Sequence, residues 1–297
     1  MSTIKKWLKV VFSEEFSIHS LSLKFPNAEL FSESPWFPPA LFIIYRLVLT
    51  SCCVIFTMES ILSTPSYLWL LQLDNWSISA VCLYFVLSTL LLVYHTIKTW
   101  KDDKRREEEE KAKHEHHTEK SHLAEEELGA SETDLLWAAS EDGESHQVDY
   151  HEDKLPCYHK VVWLLQTMAG NSILVVSFCY LVLEGQLNSL VLAMYFTFTA
   201  FMIIEAIFSF APIRLLHVVY SYIFTLAYVL VVVLFYFIIT DPNNAPDDLP
   251  RFVNRIHDPF SSAMVFLILI IGQPLFQLLY FAIHKLKCFV YIKYYGY

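Results

Sequence analysis

The sequence predicts an all-α membrane protein: a bundle of six transmembrane helices, with N and C termini cytoplasmic and a long acidic cytoplasmic linker between helices two and three. Three observations predict it. The chain of 297 residues is 55% hydrophobic, against roughly 45–50% for soluble globular proteins. The excess gathers into runs near the ~20 apolar residues that cross a bilayer. The cationic residues outside those runs fall in alternate connecting segments, as the positive-inside rule requires.

Residues 1–39 read as a cytoplasmic N-terminal segment. Ile4, Trp7, Leu8 and Val11 share one helical face beside Lys5, Lys6 and Lys9, which predicts an interfacial amphipathic helix. The apolar run Val10, Val11, Phe12 meets Glu14 and Glu15 too soon for a signal peptide. Trp36, Phe37, Pro38 and Pro39 then mark a helix entry. Spans one and two lie within residues 40–99, at about 40–60 and 76–98. Residues 100–158 are the acidic linker, partly helical or disordered. Residues 159–285 hold spans three to six, at about 160–183, 187–211, 214–240 and 260–284, with Pro274 as a kink in the last. Residues 286–297 are a cytoplasmic tail.

Lys5, Lys6, Lys9 and Lys24 precede span one, and KTWKDDKRR follows span two from Lys98. Arg214 lies between spans four and five, and Lys285, Lys287 and Lys293 follow span six. With six spans these four segments share one side. The other three loops hold only Arg251 and Arg255. The distribution places both termini and the linker in the cytoplasm.

The net charge of −10 belongs to the linker. Residues 101–155 carry eight Lys/Arg against 19 Asp/Glu, while the rest of the chain is nearly balanced. An acidic balance argues against nucleic-acid binding, which needs a basic face. KDDKRREEEEKAKHEHHTEK has opposite charges at i,i+4 and continues span two as a solvated helix. The polar stretch after it is too poor in apolar residues to fold alone, apart from Leu135, Leu136 and Trp137. Residues 101–155 are therefore the expected contact surface for a cytoplasmic protein partner, beside the lipid bilayer itself. His114, His116 and His117, with His122 nearby, are weak metal candidates.

Six glycines leave no phosphate-cradling loop, and no GxSxG is present. No cofactor is expected. The intramembrane charges are the informative residues, because each is costly there. Arg46 in span one and Glu205 in span four both lie about six residues, ~9 Å, from the cytoplasmic end of their spans. Their matching depth predicts a structural pair. His95 and His217 sit near the same level and read first as interfacial histidines; the alternative is that they converge with Arg46 and Glu205 on a polar pocket there. Gln166, Asn171, Gln273 and Gln277 suit interhelical hydrogen bonds. Asp74 lies at the outer interface, and Asn75, Trp76 and Ser77 form a glycosylation sequon that abuts the membrane. The six cysteines have no zinc-site spacing, and juxtamembrane Cys157 and Cys288 are candidates for lipidation.

PALFIIYR from Pro39 to Arg46, LDNW from Leu73 to Trp76, WLLQ from Trp163 to Gln166 and EAIFSFAPIRLLH from Glu205 to His217 follow one another in an order that resembles the rolling-stone family of multi-pass membrane proteins. His257, Asp258 and Pro259 continue the match, and the acidic linker is an insertion relative to it. That family is distantly similar to the androgen-induced membrane hydrolases, which cleave lipid esters with a threonine and a histidine. The resemblance implies a Thr before Asn-Trp, where this chain has Asp74. It also implies a His-x-x-Asn in span four, where Phe196 to Thr199 supply neither residue. The resemblance further implies a role in cell–cell fusion or differentiation.

These readings predict a membrane protein that is not an enzyme and acts through membrane or protein interactions, in the plasma membrane or an endomembrane. One alternative is an intramembrane lipid-ester hydrolase built from Glu205, His217 and Asp74. Asp74 would lie on the opposite side of the membrane from the other two. The second alternative is a transporter or channel, although the chain shows no internal repeat.

Overall fold

The structure is a computed structural model. It describes residues 15–23, 29–63, 69, 71–127, 155–183, 189–239 and 267–295. The expected amphipathic helix at the N-terminus, the Leu135–Trp137 patch and the outer loop 241–259 lie outside these residues. The chain divides into two units. One comprises Met1–Val93 with Leu155–Tyr297, and the other comprises Tyr94–Lys154.

The described residues are helical, without strands. We number the α-helices α1 (Pro39–Ser63), α2 (Leu73–Glu127), α3 (Cys157–Leu183), α4 (Ser189–Phe208), α5 (Val218–Ile239) and α6 (Gln273–Tyr295). Five of them, α1, α2, α3, α5 and α6, are long and apolar enough to cross a membrane, and the apolar stretch Leu192–Phe208 of α4 is shorter. Large apolar side chains stay exposed along the outer helices, among them Ile44, Leu47 and Ile55 of α1 and Leu226 and Leu230 of α5. A soluble protein does not expose such continuous apolar stripes, whereas a lipid-facing surface does.

Helix boundaries differ from the sequence expectation where side chains, rather than hydropathy, set them. Helix α2 begins at Leu73, with Asp74 in its first turn, and runs without a break to Glu127. Helix α4 stops at Phe208 and α5 starts only at Val218. Pro212 disfavours a helical conformation at Ala211, and residues 209–214 have no regular secondary structure before the 3-10 turn Leu215–His217, with Arg214 extended. Helix α6 continues to Tyr295, so most of the expected tail is helix.

In the structure α3 is the central helix, buried without interruption from Ala169 to Ser177 and packed on α4, α5 and α6. In the apolar stretches of α2 and α3, 56% and 67% of residues are buried, against 22–28% in α1, α5 and α6. In lipid the inner and outer faces of a helix are both apolar, so polarity cannot reveal which helices lie inside.

Five residues before α6, Ile268–Gly272, form a π-helical turn. Pro274 has no N–H to give the carbonyl four residues earlier, and that carbonyl, Ile270 O, accepts a hydrogen bond from Tyr222 Oη at 2.5 Å. The tyrosine of α5 thus supplies the donor that the proline withholds. Tyr222→Phe should lower stability in detergent by about 1 kcal/mol. Pro274→Ala added to that variant should recover most of the loss, because it restores the backbone donor. Thermal midpoints of the two variants check this.

Candidate functional site

Glu205 lies in the last turn of α4, where the helix already presents unpaired carbonyls and the negative end of its dipole. A carboxylate there is unfavourable unless cations and donors surround it. The neighbouring helices provide them. Arg46 Nη2 of α1 lies 2.5 Å from Glu205 Oε1, with Arg46 1% and Glu205 0% exposed. Tyr84 Oη of α2 donates to the same oxygen at 3.0 Å. Tyr45 Oη, the residue before Arg46, donates to Oε2 at 3.2 Å. Arg46 also donates to Ser88 O at 3.0 Å and Ser209 Oγ at 3.3 Å, and its guanidinium lies over the Phe42 ring at 4.7 Å.

The end of α4 is closed by donors from outside the helix. Lys287 of α6 is 4% exposed. Its Nζ donates to Ala206 O at 3.0 Å and also to Ser209 O. A lysine in this position satisfies terminal carbonyls and complements the dipole. Trp36 Nε1 donates to Ile207 O at 3.1 Å, and Phe210 N donates to Glu33 O at 3.2 Å. Ser209 N closes back on Glu205 O at 2.9 Å. Glu205 is therefore held within a cluster that draws on α1, α2, α4, α6 and the segment before α1.

That segment continues along the 214–220 turn. Arg214 Nη1 donates to Ser22 O at 3.2 Å, Tyr220 Oη to Leu21 O at 2.8 Å, and Leu215 N to Glu15 Oε2 at 3.4 Å. Arg214 also stacks over Trp163 at 5.2 Å, whose Nε1 donates to Pro212 O at 2.6 Å.

The amides form a second cluster that ties α3, α5 and α6. Asn171 Nδ2 donates to Ser221 Oγ at 2.8 Å and to Gln277 Oε1 at 2.6 Å. Gln277 Nε2 reaches Arg214 O, and Gln273 Nε2 reaches Thr225 Oγ1, each at 2.6 Å. Beside this seam Gln166, Thr167, Met202, Ala206, Gln277 and Tyr280 help line a cavity of about 20 Å³. That volume holds about one water molecule.

Among the described residues Asp74, His217 and Glu205 have different partners. Asp74 accepts hydrogen bonds from Tyr180 at 3.0 Å and from Tyr195. His217 is buried against Trp163 and Tyr220, with ring centroids 4.6 and 5.4 Å away. Glu205 has the partners given above. His95 lies in the second unit, with its ring 5.8 Å from Tyr94. Asn75 is 3% exposed, and its amide donates to Trp69 O and Gln72 Oε1, so the sequon nitrogen is engaged. His114 is exposed on α2, and the side chains of His116 and His117 lie outside the described residues. Among the described residues no group of three or more His, Cys, Asp or Glu is placed to hold a metal. Cys157 is exposed, and Cys288 is half-buried with Sγ 3.8 Å from His284 Nε2.

Tyr45, Tyr84, Ser209 and Lys287 are the members of the Glu205 cluster that sequence reasoning missed. Lys287 was read as a charge of the tail. Because α6 runs on to Tyr295, Lys287 instead sits inside a helix facing the end of α4. Family models, curated proteins and solved structures give no match to this chain.

Two substitutions test the cluster through thermal midpoints in detergent. Tyr84→Phe removes a hydrogen bond to a charged acceptor and should cost about 1.5–3 kcal/mol. Lys287→Met strips donors from two carbonyls and should cost a similar amount. Lys285→Met should change little, because its 3.8 Å pair with Glu15 is partly solvated, with Lys285 32% exposed.

Proposed function

We propose that this chain is a six-span, rolling-stone-like membrane protein that acts through interactions rather than catalysis, and that its acidic cytoplasmic extension is the contact surface. The observation that carries the first half is the saturation of Glu205. Its two oxygens accept three hydrogen bonds, one from a guanidinium, in a site with no measurable exposure. A general base needs a free lone pair aimed at a substrate proton, and this carboxylate is spent on holding helices together.

The alternation of cationic segments supports six spans, with α4 as the fourth, and cytoplasmic termini. It puts the charged part of α2 on the same side. There Glu107–Glu110 are exposed on the helix, and further acids follow to Glu127. Such a surface suits a basic protein partner by charge complementarity. The quoted rolling-stone motifs add cell–cell fusion or differentiation as the process in which such a partner would act.

The purified protein should release no fatty acid from lipid esters above the background of empty micelles. Turnover that disappears in Glu205→Gln or His217→Ala would overturn the non-catalytic reading. The full-length protein should also retain basic cytoplasmic proteins in a salt-sensitive way, and glutamine in place of Glu107–Glu110 should weaken that retention.

A further inference from the structure

At the start of its charged part, α2 carries a stripe that the acidic surface does not explain. Tyr94, Ile97, Lys98, Lys101, Lys104 and Arg105 are spaced three and four residues apart, so they lie along one face of the helix. All six are exposed, Tyr94 by 53% and Ile97 by 49%. Trp100 lies on the edge of the stripe, 62% exposed, with Lys104 Nζ 5.7 Å from its ring centroid. Asp103, Glu107 and Glu110 are also spaced three and four apart, about 160° away from the middle of the stripe at ~100° per residue. Up to Arg105 the cations of the stripe thus lie opposite this acidic set, and Glu108, four residues after Lys104 and three after Arg105, ends the stripe.

We propose that this stripe docks on acidic phospholipid headgroups of the cytoplasmic leaflet. Its composition changes in the order a membrane interface demands. Tyr94 and Ile97 come first, directly after the apolar stretch of α2, and the cations follow over the next two to three turns. Aromatic residues favour the headgroup level. Cations just beyond it are attracted by an anionic surface within a Debye length. An acidic protein would have no use for the exposed Tyr94 and Ile97 next to the apolar stretch, whereas a lipid surface covers them. Arg105 also pairs with Asp102 at 3.3 Å and, more loosely, with Glu109 at 3.9 Å, so Lys98, Lys101 and Lys104 are the main headgroup contacts. The inference rests on the cytoplasmic placement of α2 proposed above.

The test uses the full-length protein in nanodiscs of phosphatidylcholine alone or mixed with phosphatidylserine. Hydrogen exchange of residues 94–106 and the phosphatidylserine retained on purification are the two readouts. Phosphatidylserine should slow exchange in this segment. A Lys98→Gln/Lys101→Gln/Lys104→Gln variant should lose both effects, with affinity for the acidic lipid falling about fivefold per cation removed. An Asp103→Asn/Glu107→Gln/Glu110→Gln variant should keep them. Unchanged exchange and lipid retention in the lysine variant would overturn the proposal. So would protection that appears in neutral nanodiscs only on adding a soluble acidic peptide. Retention of basic proteins by the acidic face is read separately: its loss with lipid enrichment intact sinks the partner reading alone, and the reverse result sinks the lipid reading alone.

Discussion

A carboxylate in an apolar bundle has to be matched by donors that cannot move away. Glu205 meets that requirement with Arg46 and Tyr45 of α1 and Tyr84 of α2. The match fixes more than one side chain. It sets the depth of α1 against α4 and orients α2 so that Tyr84 faces inward. It also makes the end of α4 a place where Lys287 of α6 and Trp36 of the preceding segment are needed for the remaining carbonyls. Loss of one partner of a buried pair costs about 3–5 kcal/mol, since a charge is left behind, whereas apolar replacement of both is often neutral. The pair thus specifies an arrangement more than it adds stability.

The other polar groups follow the same logic at other levels. Asn171, Gln277 and Ser221 link α3, α5 and α6 in mid-bundle. Asp74 gathers Tyr180 of α3 and Tyr195 of α4 at the opposite end of the bundle from Glu205. Apolar surfaces give little direction to helix association in lipid, so hydrogen bonds at distinct depths can set register. Tyr222 and Pro274 show the converse case, where a backbone group freed by a proline recruits a side chain from the next helix.

Different parts of this structure were legible in the sequence to different degrees. Long apolar runs revealed α1, α2, α3, α5 and α6, because crossing a bilayer fixes length and composition together. Depth counting placed Arg46 and Glu205 at one level, and the two side chains are in contact in the structure. Tyr45 and Tyr84 were not legible, since a tyrosine is also at home in any membrane helix. Lys287 was hidden by the assumption that α6 ends with its apolar stretch. The inner position of α2 was hidden because hydropathy does not separate core from lipid. The break between α4 and α5 was carried by Pro212, but its carbonyl partner Trp163 lies 49 residues away.

The central claim is that Arg46 and Glu205 act as one structural unit. A double-mutant cycle with Arg46→Leu, Glu205→Leu and the double variant, read as unfolding free energies in detergent, measures it most directly. The account predicts that each single change is strongly destabilising and that the double variant returns close to wild-type stability, with a coupling of several kcal/mol. Additive losses, with the double variant no better than the worse single one, would contradict it.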